Sequence, residues 1–174
     1  MTDTKTQTTL VLGGTGKTGR RVAQRLSALG RPVRVGSRSG RPPFDWEDRA
    51  TWAPALDGAR SAYVSYYRDL AAPGAVEATD AFARLAVGSG VSRLVLLAGR
   101  GEPEAELAEQ AVRDCGAEVT IVRAAWFSQS FSEDYLPVPL DEYAAAEPRD
   151  FAFYARDAGA SGVWDVPAAN GADQ

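Results

Sequence analysis

The chain contains no histidine, a single cysteine (Cys115) and only two lysines, Lys5 and Lys17. Without histidine there is no Ser-His-Asp or Cys-His nucleophile-base arrangement and no His-containing metal site, so metal ligands and a catalytic nucleophile are not expected. A lone cysteine excludes an internal disulfide and a multi-cysteine zinc site, which fits a reducing compartment. Long apolar runs are missing as well. None approaches the ~20 residues a membrane span needs, and residues 1–7 lack the apolar stretch of a signal peptide. The expected address is the cytoplasm, with no membrane partner. Basic charge is not in excess either: 19 Lys+Arg against 23 Asp+Glu give a net charge of −4, which argues against a nucleic-acid partner held by many phosphate contacts. What remains is a chain of 174 residues, the size of one domain, with 45% hydrophobic residues to build a core.

Along the chain the apolar pattern switches period repeatedly. Thr8 to Leu12 is a short β-prone run that stops at Gly13. From Lys17 to Ala28 the spacing of Val22, Leu26 and Leu29 is helical, and Gly30 stands where a helix ends. Pro32 to Gly36 reads as a second strand, and the whole fits one βαβ unit. Further strands are expected at Phe44–Trp46, Ser61–Tyr66, Val91–Ala98 and Glu118–Ala124. Between them the pattern predicts helices near Trp52–Leu56, over Ala75–Val87, and from Pro103 with a buried stripe of Leu107, Ala108, Ala111 and Cys115. This alternation implies an α/β fold of three layers, a parallel sheet of about six strands between helices. After about Phe131 the pattern breaks at Pro137, Pro139 and Pro148, leaving one helix over Asp150–Ala158 and a tail. The expected organisation is a domain over 8–133 and a shortened C-terminal segment over 134–174.

The first turn carries the chemistry. Gly13-Gly14-Thr15-Gly16-Lys17-Thr18-Gly19 contains both G-x-G-x-x-G (Gly14, Gly16, Gly19) and the wider G-x-x-G-x-x-G (Gly13, Gly16, Gly19). Placed between a strand and a helix, such a loop turns sharply and brings bare N–H groups and a helix N-terminus up to a diphosphate. Gly13, Thr15, Gly16, Lys17, Thr18 and Gly19 are the candidate contacts. Gly16-Lys17-Thr18 also looks like the end of a P-loop, but the glycine that motif needs five positions earlier is Val11, inside the strand. A glycine turn without a ligand is the plainer alternative. At the end of the second strand, where an NAD site places an acid for the ribose hydroxyls, stand Ser37 and Arg38. A hydroxyl and a guanidinium suit a 2′-phosphate, so NADP(H) is expected over NAD(H), unless Arg38 is only a solvated loop residue.

These strings, with Phe44-Asp45-Trp46, Arg93 to Gly101 and Thr120 to Glu133, resemble the NmrA-like branch of the atypical short-chain dehydrogenase/reductases, and within it the agroclavine dehydrogenase-like bacterial proteins. The resemblance covers about residues 8 to 133. It implies a Rossmann domain that binds NADP(H), with Asp45 and Trp46 near the adenine and Ala98, Gly99 and Arg100 beside the nicotinamide. Ala98 stands where such proteins usually carry serine. The Tyr-x-x-x-Lys pair of typical members cannot form, because neither lysine follows a tyrosine by four positions. The segment that builds a substrate lobe in these proteins is expected to be largely missing. Two functions follow as expectations. One is a reductase of a small electrophile such as a quinone, enone or iminium, with Tyr66, Phe127 and Gln129 facing the substrate and no residue legible as a catalytic acid. The other is a redox-sensing regulator that binds NADP(H) and a protein partner without turnover; a homodimer is open to either. Glu109 reads as a solvated helix residue, or else as a polar neighbour of the nicotinamide.

Overall fold

The computed structural model describes residues 7–124 and the backbone of 163–165. Its elements are β1 (Thr8–Leu12), α1 (Lys17–Ala28), β2 (Val33–Gly36), α2 (Trp52–Leu56), β3 (Ala59–Val64), α3 (Ala75–Gly88), β4 (Arg93–Gly99), α4 (Pro103–Arg113), β5 (Glu118–Ala124) and β6 (Val163–Asp165). The six strands form one parallel sheet in the order β2-β1-β3-β4-β5-β6. The fold class read from the alternation is therefore the one observed.

Strand β1 runs through the middle of the domain, and Leu10, Val11 and Leu12 are fully buried because both sheet faces are covered. Even-numbered side chains such as Leu10, Leu12, Ala62, Val64, Leu94 and Leu96 share a core with α2, α3 and α4. Val11 and Tyr63 point the other way, onto Ala23 of α1, with Val22 and Leu26 beside them. Helix α1 ends where the sequence indicates: Gly30 has φ +68, and Arg31 N–H returns to Leu26 C=O at 2.9 Å. The left-handed turn costs glycine nothing, so it stops the helix cleanly.

The structure departs from the sequence reading in three places. Phe44–Trp46 is not a strand. Asp45 N–H donates to Thr51 Oγ1 at 2.9 Å, and Asp45 C=O accepts from the Trp52 indole at 2.7 Å, so these backbone groups are committed to side chains instead of a ladder. The segment is held by an aromatic cluster, with Phe44 5.7 Å from Phe82 and Trp46 5.3 Å from it, ring centre to ring centre. The sixth strand is instead Val163–Asp165, so the segment set apart over 134–174 contributes β6 beside β5; the helix expected over Asp150–Ala158 lies outside the described residues. The buried stripe of α4 is also rotated from its expected phase. Ala105, Ala108, Glu109 and Val112 are buried while Leu107 is 63% exposed. An ion pair sets that phase: Arg123 of β5 donates to both Glu109 carboxylate oxygens, at 2.9 and 2.7 Å. Glu109 is thus neither solvated nor beside the cleft described next.

Candidate functional site

From β1 the chain goes through α1 to β2 on one side, then crosses back so that β3 pairs with the other side of β1. Connections leaving in opposite directions open a crevice at the carboxyl ends of β1 and β3, the place where open α/β sheets bind ligands. A cleft of about 1130 Å³ lies there. It runs from Ser37 and Arg38 past the glycine loop to Ala98, Gly99, Glu102 and Ala124.

The glycine loop is a tight turn with three different duties. Gly13 has φ +64, and its N–H reaches Gly36 C=O at 3.1 Å while its own C=O accepts from Gly16 N–H at 2.8 Å. A side chain on Gly19 would run into Gly13, within 2.6 Å of its carbonyl carbon, so this glycine lets α1 lie against the turn. A Cβ on Gly16 would meet only Gly13 O, at 3.2 Å; its other side is open to the cleft. Gly14 faces away, where a Cβ would strike Val35 Cγ1 at 2.7 Å. The geometry selects the Gly13, Gly16, Gly19 spacing from the two the sequence allows. Gly16 is the N-cap of α1, and no acid stands in the first turn of that helix. Its partial positive charge, with Lys17, therefore faces the cleft. Below the loop, burial raises the Tyr63 phenol above its ordinary pKa, and a hydrogen bond with Thr18 opposes the rise in part.

At the β2 end the Arg38 guanidinium lies over the Tyr67 ring, 5.9 Å from its centre. Arg68 pairs with Glu47 at 2.7 Å across the same mouth. Arg68 has φ +89, a left-handed conformation that is costly for a side chain of this kind and recurs at ligand clamps. Trp46 ties the two loops together, with its indole donating to Ser65 C=O at 3.2 Å and its ring 5.0 Å from Tyr66. At the far end the Glu102 carboxyl rests on the backbone of Gly99. Burial, then Asp69 and Glu104, raise its pKa above the ordinary carboxylate range.

No protein-family model matches the chain. Agroclavine dehydrogenase from Claviceps fusiformis is 32% identical over 145 residues, covering 72% of this chain and 48% of that protein. The chain thus spans about half the length of the curated relative it matches. A short-chain dehydrogenase/reductase superfamily protein from Agrobacterium tumefaciens, solved with bound NAD, superposes with a TM-score of 0.57 at 22% identity over 67% of this chain and 48% of that one. The chain has the Rossmann fold that these proteins share. The NADPH-dependent quinone oxidoreductase of Escherichia coli complexed with NADPH shares that fold, with a TM-score of 0.57 at 17% identity over 92% and 69% of the two chains. The resemblance drawn from residues 8 to 133 is borne out at this level.

Within this Rossmann domain the cleft gathers most of the residues singled out in the sequence: Gly13, Thr15, Gly16, Lys17, Thr18, Ser37, Arg38, Asp45, Trp46, Tyr66, Ala98 and Gly99 all line it. Gly19 does not, since it supports the loop from behind. Arg100 does not either; its N–H closes onto Ala124 C=O at 3.0 Å as β4 ends. Ala98 is 4% exposed and belongs to the core beneath α3 and α4, so its methyl meets the cleft only as part of the floor. Phe127 and Gln129 lie outside the described residues. Sequence reasoning missed Ser65, Tyr67, Arg68 and Asp69, which follow β3, and Glu102, which precedes α4. The signal available was the rule that ligands sit at strand carboxyl ends. Ending β3 at Tyr66, two residues late, hid how early that loop begins.

The residues present fit a dinucleotide. The open side of Gly16 and the N-terminus of α1 suit a diphosphate, and Ser37 with Arg38 suits a phosphate-bearing ribose. Among the described residues no helix is long and apolar enough to cross a membrane.

Proposed function

We propose that this protein is an NADP(H)-binding oxidoreductase of the NmrA-like branch that reduces a small electrophile such as a quinone, enone or iminium in the cytoplasm. The observation that carries the reading is the cleft at the β1/β3 switch point, with an uncapped, acid-free helix terminus at its centre and Arg38 at one end. Preference for the phosphorylated cofactor rests on Ser37 and Arg38, which stand where an NAD site has an acid. Relatives support both halves of the proposal: a quinone oxidoreductase carries NADPH on this fold, and agroclavine dehydrogenase is 32% identical over 145 residues.

When bound, NADPH would supply the hydride. The chain's own contribution is position: the loop and α1 hold the diphosphate, the Arg38–Tyr67 pair holds the adenosine end, and Gly99 with Ala124 leaves a shallow floor for the nicotinamide end. Tyr66 flanks the space left for a substrate. Calorimetric titration with NADPH and NADH, followed by NADPH turnover against a panel of quinones, enones and iminium ions, tests the reading. Binding of NADPH with reduction of at least one class supports it. Binding with no turnover of any class would favour the redox-sensing regulator, and no binding would overturn both.

A further inference from the structure

Glu102 occupies the N-cap position of α4, yet its side chain makes no capping hydrogen bond. Its carboxyl instead folds back onto Gly99, with Oε1 2.6 Å from the place a Gly99 Cβ would take, and it lines the cleft beside Ala98 and Ala124. With the diphosphate at the glycine loop and the adenosine end at β2, this is the end left for the nicotinamide and whatever accepts from it. We infer that Glu102 is the proton donor of the reduction, a catalytic residue that no short sequence motif marks. The inference rests on the NADP(H) reading of the cleft.

The balance is simple for a conjugated carbonyl. A bound dihydronicotinamide would supply the hydride to the electrophilic carbon and be left oxidised, and the displaced π pair would reside on oxygen. Glu102 would give that oxygen its carboxyl proton, and the carboxylate left behind would recover a proton from water. The surroundings keep the acid form available. Burial is the largest influence, Asp69 from the loop after β3 comes next, and Glu104 in the first turn of α4 last, all acting in the same direction. Influences in this direction favour the protonated carboxyl, the form a general acid requires.

The test uses the full chain, the Glu102→Gln variant and a Glu77→Gln control in the first turn of α3, outside the cleft. A cationic nicotinamide ring bound at this end of the cleft would favour the Glu102 carboxylate, so binding of NADP+ to the native chain at mildly acidic pH should release protons, read by calorimetry in two buffers of different ionisation enthalpy. Glu102→Gln should bind NADP+ and lose most of that release, while Glu77→Gln keeps it. Quinone and enone reduction by Glu102→Gln should fall on the order of a hundredfold, and the loss of rate with rising pH expected of the native chain should flatten. Unchanged proton release and rate in Glu102→Gln would overturn the assignment. So would a native pH profile with no fall above the ordinary carboxylate range, which needs no variant. Failure of the native chain to bind NADP+ would instead overturn the cofactor reading, and this inference with it.

Discussion

Two glycines three residues apart do opposite jobs, and their substitutions separate cofactor binding from folding. Gly16 has open space on its cleft side and only Gly13 O, at 3.2 Å, behind it. A valine there would fill the place proposed for the diphosphate, so Gly16→Val should abolish NADPH binding in calorimetry while the melting temperature changes little. Gly19 presses its α-carbon against Gly13 and Gly14, and a Cβ would come within 2.9 Å of Gly14 Cα. Gly19→Val must push α1 off the turn, and overpacking of this kind costs about 1–3 kcal/mol or more; thermal unfolding should show the loss without ligand present. The proposed preference for NADPH rests on Arg38. If it meets the 2′-phosphate, Arg38→Ala should weaken NADPH by ~1.5–3 kcal/mol and NADH far less, the value of hydrogen bonds to a charged group. Equal weakening of the two cofactors would show that the guanidinium serves only to cover Tyr67.

Elements rather than residues decide how the cleft keeps its shape. The loop after β2 has no strand to hold it, so its order comes from Phe44, Trp46 and Trp52 packed on Phe82 of α3. Trp52 is 1% exposed, and truncating a buried aromatic costs about 3–5 kcal/mol. Trp52→Ala should therefore lower stability strongly in denaturant titrations. It should also loosen Asp45, whose carbonyl loses the indole donor. Helix α4 depends on a charge in the same way: Glu109→Ala would take the bidentate partner from Arg123 and leave Glu106 at 3.8 Å, so the loss should stay below the ~3–5 kcal/mol of a fully buried pair that is broken. These two features also show where sequence was readable. The β1-loop-α1-β2 unit is legible because each part follows one local rule, period two, then glycine, then period 3.6. Phe44–Trp46 looked like a strand because aromatic residues favour strands, and no local rule reveals that Thr51 and Trp52 take up the Asp45 backbone. The phase of α4 was misread because Leu107 is more apolar than Glu109, and the burial of the glutamate is offset chiefly by Arg123 approaching from β5, with Arg113 of the same helix 3.7 Å away. Within the site, residues on the glycine loop and at the end of β2 were legible for the same local reasons. Arg68 and Glu102 were not, since each enters the cleft through a turn that no periodicity encodes.

At the scale of the whole molecule, the cleft is a seam. One wall comes from the glycine loop and the loop after β2, the other from the loops after β3 and β4; Trp46 joins them through Ser65 and Tyr66, and the Arg38–Tyr67 contact and the exposed Arg68–Glu47 pair lie across the mouth. Exposed ion pairs contribute about 0–1 kcal/mol, so the Arg68–Glu47 pair adds little to what Trp46 holds. A dinucleotide lying along the seam touches both walls and binds the folded chain alone. NADPH at a hundredfold excess over its dissociation constant should then add about 2.7 kcal/mol of stability. For a domain of this size that is a rise in melting temperature on the order of 5–12 °C. The same concentration should do less for Arg38→Ala and nothing for Gly16→Val. Raising the salt concentration should leave the unliganded melting temperature nearly unchanged, because the Arg68–Glu47 pair counts for little, but should reduce the NADPH-dependent rise, because phosphate contacts at Lys17 and Arg38 are partly screened. Scanning fluorimetry with NADPH at two ionic strengths reads both effects. A liganded shift that ignores salt and survives Gly16→Val would place the nucleotide away from this seam.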